Sequence, residues 1–250
     1  MHIPDEFINN GALGSTGAAA AVAVAYALQK VRSTFLKRIP VFKARLATFP
    51  DFGGGSEMSF QNRLSRYGRE KIWRMAAVGA LIFSSQMVNF PIGGGTSGHL
   101  LGGVLAALIV GPFEALLVMA LVLATQALLF GDGGVVALGA NIFNMGIVGA
   151  LGGFYFFTFL AKGAIQKRKG FLKNAFVAAW LSVIAAAVAA SLEIAWSGTV
   201  PLMTVLPAMF LVHLVIGLME GAVTISVLGL LMRKNFKMEI LNEEKAYEEE

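Results

Sequence analysis

The chain carries three histidines, His2, His99 and His213, each placed where an imidazole can act. His2 follows the first residue. A free Met1 amine, the main-chain nitrogen of His2 and the Nδ1 of its ring can bind one ion through two unstrained chelate rings. Three nitrogens then lie in a plane with one in-plane position open, a donor set that favours Ni(II) and Cu(II) by geometry. A second imidazole is a suitable fourth donor. His99 follows the glycine-rich run Pro91-Ile92-Gly93-Gly94-Gly95-Thr96-Ser97-Gly98, whose glycines let the backbone fold sharply. Alone, His2 reads as an ordinary residue on a frayed end, and His99 as a helix-start histidine bonded to nearby backbone. Together they favour a pair of ligands. The chain has no cysteine, which excludes thiolate sites, iron–sulfur clusters and disulfides, so metal chemistry here must use nitrogen or oxygen.

His213 and Glu220 stand seven residues apart, two helical turns, and share one stripe of a helix. No Lys or Arg lies at that depth, so Glu220 must be neutral, water-exposed, or paired with His213 or amides. Gln86, Asn89, Gln126, Asn141 and Asn144 supply amides that line a polar path or orient ligands from behind. Equally, such residues bond helix to helix and only hold a bundle together. Asp132 and Glu193 are weaker candidates. The pairs Gly98/Gly102, Gly149/Gly153 and Gly217/Gly221 have the small-residue spacing of close helix packing.

The elements that must hold these residues are membrane spans. Of 250 residues, 56% are hydrophobic and 14% charged, against roughly 25% charged in a soluble domain. The apolar runs predict seven spans, at 11–29, 75–90, 98–111, 113–130, 135–161, 174–196 and 203–232. Residues 98–130 would make a single helix of roughly 50 Å, too long for a ~30 Å hydrocarbon layer. Pro112 suits a first helical turn, so the run divides there, leaving a third span that is short or partly re-entrant.

All 20 Lys and Arg fall on one side only if seven spans are counted, and cations are held on the cytoplasmic side. The reading is an all-α polytopic bundle with its N-terminus outside, its C-terminus cytoplasmic, and no cleaved signal segment. Outer segments hold Asp5, Glu6 and Asp132 and no Lys or Arg, which suits capture of a cation. A metal-binding membrane domain is expected over 1–236, with a long basic cytoplasmic loop at 30–74 and an acidic tail at 237–250. In that loop Asp51 to Ser56 reads as a hinge. Phe60, Leu64 and Tyr67, interleaved with Arg63, Arg66 and Arg69, read as an amphipathic helix on anionic lipid. The net charge of +5 therefore reflects membrane orientation, not nucleic-acid binding.

Four blocks, MHIPDEF at the start, NFPIGGGTSGHLLGG at 89–103, QALLFGDGGVVALGANIFNMG at 126–146 and VHLVIGLMEGAVT at 212–224, resemble the CbiM/NikM family. Its members are the substrate-binding membrane subunits of energy-coupling-factor importers for cobalt or nickel. The resemblance implies a square-planar nitrogen site made by the Met1 amine, the His2 amide and imidazole, and the His99 imidazole. It also implies a coupling transmembrane protein, a pair of ATPase subunits and often a small accessory membrane protein as partners, in a prokaryotic plasma membrane. The ion is then cargo, and no cofactor is called for. Position 6 is Glu where the family usually has Gly, and the inner loop is longer than expected over about 45–72.

No G-x-x-x-x-G-K-[ST] motif is present, so this sequence offers no P-loop for ATP, and energy for uptake must come from a partner. Two other classes stand beside the transport reading. One is an intramembrane hydrolase using Ser97 and His99 with Glu193 or Glu220, although a nucleophile and base two residues apart on a turn seldom meet well. The other is an ion channel without a tight site.

Overall fold

A computed structural model describes residues 2–43, 57–92, 96–162, 168–234, 236, 238 and 240. The chain opens with a single 3-10 turn, Asp5–Phe7, then enters α1, Asn10–Phe35, whose first turn is capped by the Asn9 side chain accepting from the Ala12 amide. Two strands follow, β1 (Leu36–Lys43) and β2 (Glu57–Leu64), paired antiparallel with Leu36 opposite Leu64. α2 spans Arg66–Gln86 and is capped by the Ser65 hydroxyl, which accepts from the Gly68 amide at 2.9 Å. A second short hairpin, β3 (Phe90–Ile92) with β4 (Thr96–Gly98), leads to α3, Gly103–Val110.

α4 runs Pro112–Thr125 and widens into a π turn at Gln126–Phe130. The next rod is built from α5 (Leu138–Asn141), a π segment (Ile142–Gly152) and α6 (Gly153–Leu160). Two long helices, α7 (Arg168–Trp196) and α8 (Leu202–Arg233), complete the bundle. Met238 and Ile240 pack into the core beyond it.

Among the described residues five helices are long and apolar enough to cross a membrane: Asn10–Phe35, Pro112–Phe130, Leu138–Leu160, Arg168–Trp196 and Leu202–Arg233. A helix also stands at each of the other two expected spans. α2 carries Arg66, Arg69, Glu70, Lys71 and Arg74 in its first half, so it joins a polar turn to an apolar one. α3 has eight residues, all buried, and at 1.5 Å per residue is only about 12 Å long. The break before Pro112 is where the sequence put it: Gly111 takes φ 103° and Pro112 opens α4. The third span is thus a short helix, preceded by a hairpin and an irregular segment.

Two expectations need correction. The fold is mostly helical, not wholly so, because two two-stranded sheets are present. The amphipathic helix expected from Phe60 onward is a strand as far as Leu64, and helix begins only at Arg66. Pairing with β1 bonds one edge of this stretch residue for residue, from Leu36 opposite Leu64 to Lys43 opposite Glu57, a partner that the helical spacing of Phe60, Leu64 and Tyr67 does not reveal. The expected hinge Asp51 to Ser56 lies outside the described residues, as do 241–250 of the acidic tail.

Of the three glycine pairs, Gly149/Gly153 and Gly217/Gly221 do what their spacing suggests, whereas Gly98 ends β4 and Gly102 takes φ +75° ahead of α3, so that pair lies on no helix. A Cβ at Gly153 would stand 2.5 Å from Val104, and one at Gly217 would stand 2.5 Å from the Trp180 ring and 2.9 Å from its carbonyl oxygen. These contacts draw the rod 138–160 against α3, and α8 against α7. A buried ion pair, Lys71 Nζ to Glu114 Oε1 at 2.6 Å, ties α2 to the first turn of α4. The sequence reading passed over it, although opposite charges near the inner ends of spans two and four were the available signal.

Candidate metal site

His2 is brought to the bundle by main-chain bonds on its neighbour. Asn141, at the end of α5, grips Ile3 from both sides: its Oδ1 accepts from the Ile3 amide at 2.8 Å, and its Nδ2 donates to the Ile3 carbonyl at 3.2 Å. The Gly134 amide donates to the same carbonyl at 3.1 Å. Asp5 Oδ1 accepts from the Ala137 amide at 2.8 Å, a carboxylate at a helix N-terminus where the dipole favours it. Gly133 must be glycine twice over. Its φ is +85°, and a Cβ there would stand 3.3 Å from the His2 Cβ and 3.2 Å from Asn141 Nδ2.

His99 is held by a different set. It sits in the irregular segment between β4 and α3, where main-chain groups at membrane depth need partners inside the protein. Glu220 supplies two: its carboxylate accepts from the Leu101 amide at 2.8 Å and the Gly102 amide at 2.7 Å. Gln86 Nε2 donates to the Leu101 carbonyl at 2.9 Å. Gly102, at φ +75°, then turns the chain into α3.

These two sets of bonds bring residues 97 positions apart in sequence face to face. The His2 and His99 rings lie 4.4 Å apart between centroids, tilted by 42°. His2 is 3% exposed and His99 is fully buried. The His99 Nδ1 is 2.9 Å from the Leu100 carbonyl. A carbonyl only accepts, so Nδ1 carries the proton and Nε2 keeps a free lone pair. That Nε2 is buried with no hydrogen-bond partner, as is the Nε2 of His2. The His2 Nδ1 instead faces Asp132 Oδ1 at 2.9 Å. Burial lowers the His2 imidazole below its ordinary 6.5, against the opposing pull of the Asp132 bond. Burial is the largest single effect on Asp132 and pushes it up, yet the bond from His2 and the nearby positive charge together leave the carboxyl below its usual range.

His2 lines a cavity of about 440 Å³ that also touches Asp5, Glu6, Asn89 and Asp132. Among the described residues three carboxylates and no Lys or Arg line it, so a cation is attracted to the mouth. Asn89 is exposed at this rim. Asp132, the weaker candidate from sequence, proves to be the side chain bonded to the first histidine. Met1 lies outside the described residues, as do Gly93 to Gly95. Among the described residues no cluster of three or more His, Cys, Asp or Glu side chains could hold a metal ion.

The remaining candidates are distributed around this pair. His213 Nδ1 is 2.7 Å from the Met209 carbonyl, which again leaves a buried, unpartnered Nε2. It lies within electrostatic reach of His99. Glu220 is paired with amides, but with main-chain ones and not with His213. Asn144 donates to Glu193 Oε2 at 2.8 Å. Both Gln126 polar atoms are buried without a hydrogen-bond partner. The Ser97 hydroxyl likewise lacks one, so Ser97 and His99 form no nucleophile–base bond.

A family model described as CbiM, cobalt uptake substrate-specific transmembrane region, matches residues 57–238. A protein of Archaeoglobus fulgidus named as a fused nickel transport protein, NikMN, is 43% identical over 154 residues, 61% of this chain and 50% of that one. The chain therefore spans half the length of that relative. A protein of Haloquadratum walsbyi named as a metal transport protein is 36% identical over 172 residues, 68% of this chain and 76% of the other. The crystal structure of a transition metal transporter superposes with a TM-score of 0.74 at 28% identity, covering 97% of both chains.

Proposed function

The chain belongs to the CbiM family of cobalt and nickel transport proteins, and from that premise we propose that it is the substrate-capture membrane subunit of an energy-coupling-factor importer for Ni²⁺ or Co²⁺. It is a multi-pass membrane protein. The observation that carries the finer reading is the His2–His99 ring pair at 4.4 Å, built at an acid-lined mouth by elements far apart in sequence. The ion is held by the Met1 amine, the main-chain nitrogen and ring Nδ1 of His2, and His99 Nε2. Because the fourth donor is a buried lone pair with no other partner, a metal would satisfy it without breaking an existing bond. The acidic cavity collects the cation on the outer side, and the C-terminus lies in the cytoplasm.

Asn141 holds the turn that carries His2, while Gln86 and Glu220 hold the segment that carries His99. Asn89 stands at the rim, and Gln126, Asn144 and His213 stand in the surrounding bundle. Energy for release comes from partners: a coupling transmembrane protein, ATPase subunits, and a small accessory membrane protein. The hydrolase alternative is disfavoured because Ser97, Glu193 and Glu220 make no bond to His99.

The test is a chain with extra residues ahead of Met1. The extension turns the amine into an amide and removes one donor. Binding of Ni²⁺ and Co²⁺ by the purified protein is expected to fall by orders of magnitude; unchanged affinity would exclude the nitrogen hook.

A further inference from the structure

The bond from Asp132 uses the atom of His2 that the hook needs. In the structure Nδ1 faces the carboxylate and Nε2 is the orphan. A five-plus-six-membered chelate from the N-terminus reaches only Nδ1. The two facts are reconciled by a half-turn of the ring about Cβ–Cγ, which exchanges Nδ1 with Cδ2 and Nε2 with Cε1. After that turn Nδ1 faces away from Asp132, and Nε2 takes the former Cε1 position, next to the place Nδ1 has left and on the ring edge that faces the same carboxylate.

We propose that Asp132 is the positioning residue of the metal site, holding the empty His2 ring through Nδ1–H and the loaded ring through Nε2–H. The proposal rests on the hook reading above. The proton inventory of the ring does not change. In the empty site Nδ1 carries one proton, donated to Asp132; in the loaded site Nδ1 gives its lone pair to the ion and one proton sits on Nε2, donated to Asp132. The proton leaves Nδ1 and an equivalent one arrives at Nε2 through the water of the cavity that both residues line.

Three features fit this role. Asp132 is the one side chain that bonds to either imidazole of the pair among the described residues. It faces the cavity on one side and His2 on the other. It also sits in a rigid turn, its own amide donating to the Gln126 carbonyl at 3.1 Å and its neighbours Gly131 and Gly133 fixed at positive φ. A carboxylate behind a ligating histidine sets the tautomer and raises ligand basicity, and its loss weakens metal affinity by roughly 10–100-fold.

The experiment labels the histidines with ¹⁵N in the untagged full chain, where only three signals pairs exist, and follows them with and without Ni²⁺. The empty protein is expected to show His2 as the Nδ1–H tautomer, with His99 and His213 alike; Ni²⁺ converts His2 alone to Nε2–H. In Asp132→Ala the empty His2 leaves the Nδ1–H form while His99 and His213 keep theirs, and Ni²⁺ affinity falls by about 10–100-fold with the spectrum of the bound ion still that of a planar nitrogen set. Asp132→Asn, whose carbonyl still accepts, recovers part of that loss. An empty wild-type His2 already in the Nε2–H form, or an Asp132→Ala protein that binds as tightly as wild type, overturns the proposal. The N-terminal extension separates the two readings: if it abolishes binding while Asp132→Ala does not, the hook stands and the role of Asp132 falls.

Discussion

At the scale of single residues, the site depends on which nitrogens are free of protons. Closing the hook displaces the His2 amide proton at every pH, and the Met1 amine proton below its ordinary range of about 7.7–8.0. Metal binding of this kind is proton-coupled. The logarithm of the apparent Ni²⁺ affinity is therefore expected to rise by about two per pH unit below that range and by about one above it. His2 adds little over most of this window. Burial keeps its ring below 6.5, so it is neutral near pH 7, and its protonation competes with the ion only on further acidification. Chelator-competition titrations between about pH 6 and 9 measure the slope, and a flat profile would rule out amine and amide donors. His2 and His99 were legible as candidates from type and position alone. Asp132 was not ranked with them, because a carboxylate in an outer loop looks the same in sequence whether it faces water or an imidazole.

At the scale of elements, the irregular segment 99–102 matters most. Its main chain lies inside the bundle and depends on Glu220 of α8 and Gln86 of α2. Replacing Glu220 by Ala strands two buried amides, each costing about 1–3 kcal/mol. Glu220→Gln keeps one acceptor oxygen and loses less. Thermal unfolding in detergent is expected to order the proteins as wild type, then Glu220→Gln, then Glu220→Ala. Ni²⁺ affinity is expected to fall in the same order, since His99 leads into that segment. A Glu220→Ala protein as stable as wild type would mean the bonds contribute nothing. The two-turn spacing put His213 and Glu220 on one stripe and left Glu220 to pair with His213 or with amides; the structure gives it two main-chain amides at 2.8 and 2.7 Å, which satisfy a carboxylate better than one neutral imidazole.

At the scale of the whole molecule, the distribution of charge predicts how the bundle is oriented. All 20 Lys and Arg fall on one side of the seven expected spans, which predicts the connection after α7 outside and that after α6 inside. The natural absence of cysteine makes this a clean test. Thr199→Cys and Lys162→Cys each introduce one thiol at an exposed position. An impermeant maleimide applied to intact cells is expected to label position 199 and to reach 162 only after the membrane is opened. The reverse pattern would turn the metal mouth to the cytoplasm and refute capture from outside.

Apolar run length and the placement of charge determined by themselves that this chain is a membrane helix bundle and roughly where its helices lie, although α1 runs on to Phe35, α2 begins already at Arg66 and α7 at Arg168, because helices continue through charged turns that an apolar run does not include. Both are local properties, set by the hydrocarbon thickness and by the cost of moving cations across it. The proposed chelate at Met1-His2 is likewise read from local sequence. Tertiary structure decided what no local pattern encodes: that Asn141 and Gly134 pull the N-terminal turn onto the bundle, that Glu220 and Gln86 pin the segment behind His99, and that the two rings meet at 4.4 Å. The hairpin β1–β2 belongs with these, since a strand is specified by its partner, and that partner lies beyond the loop. Contacts across roughly 100 residues are settled by which buried polar groups find each other when the helices close, and the order of residues along the chain does not contain that pairing.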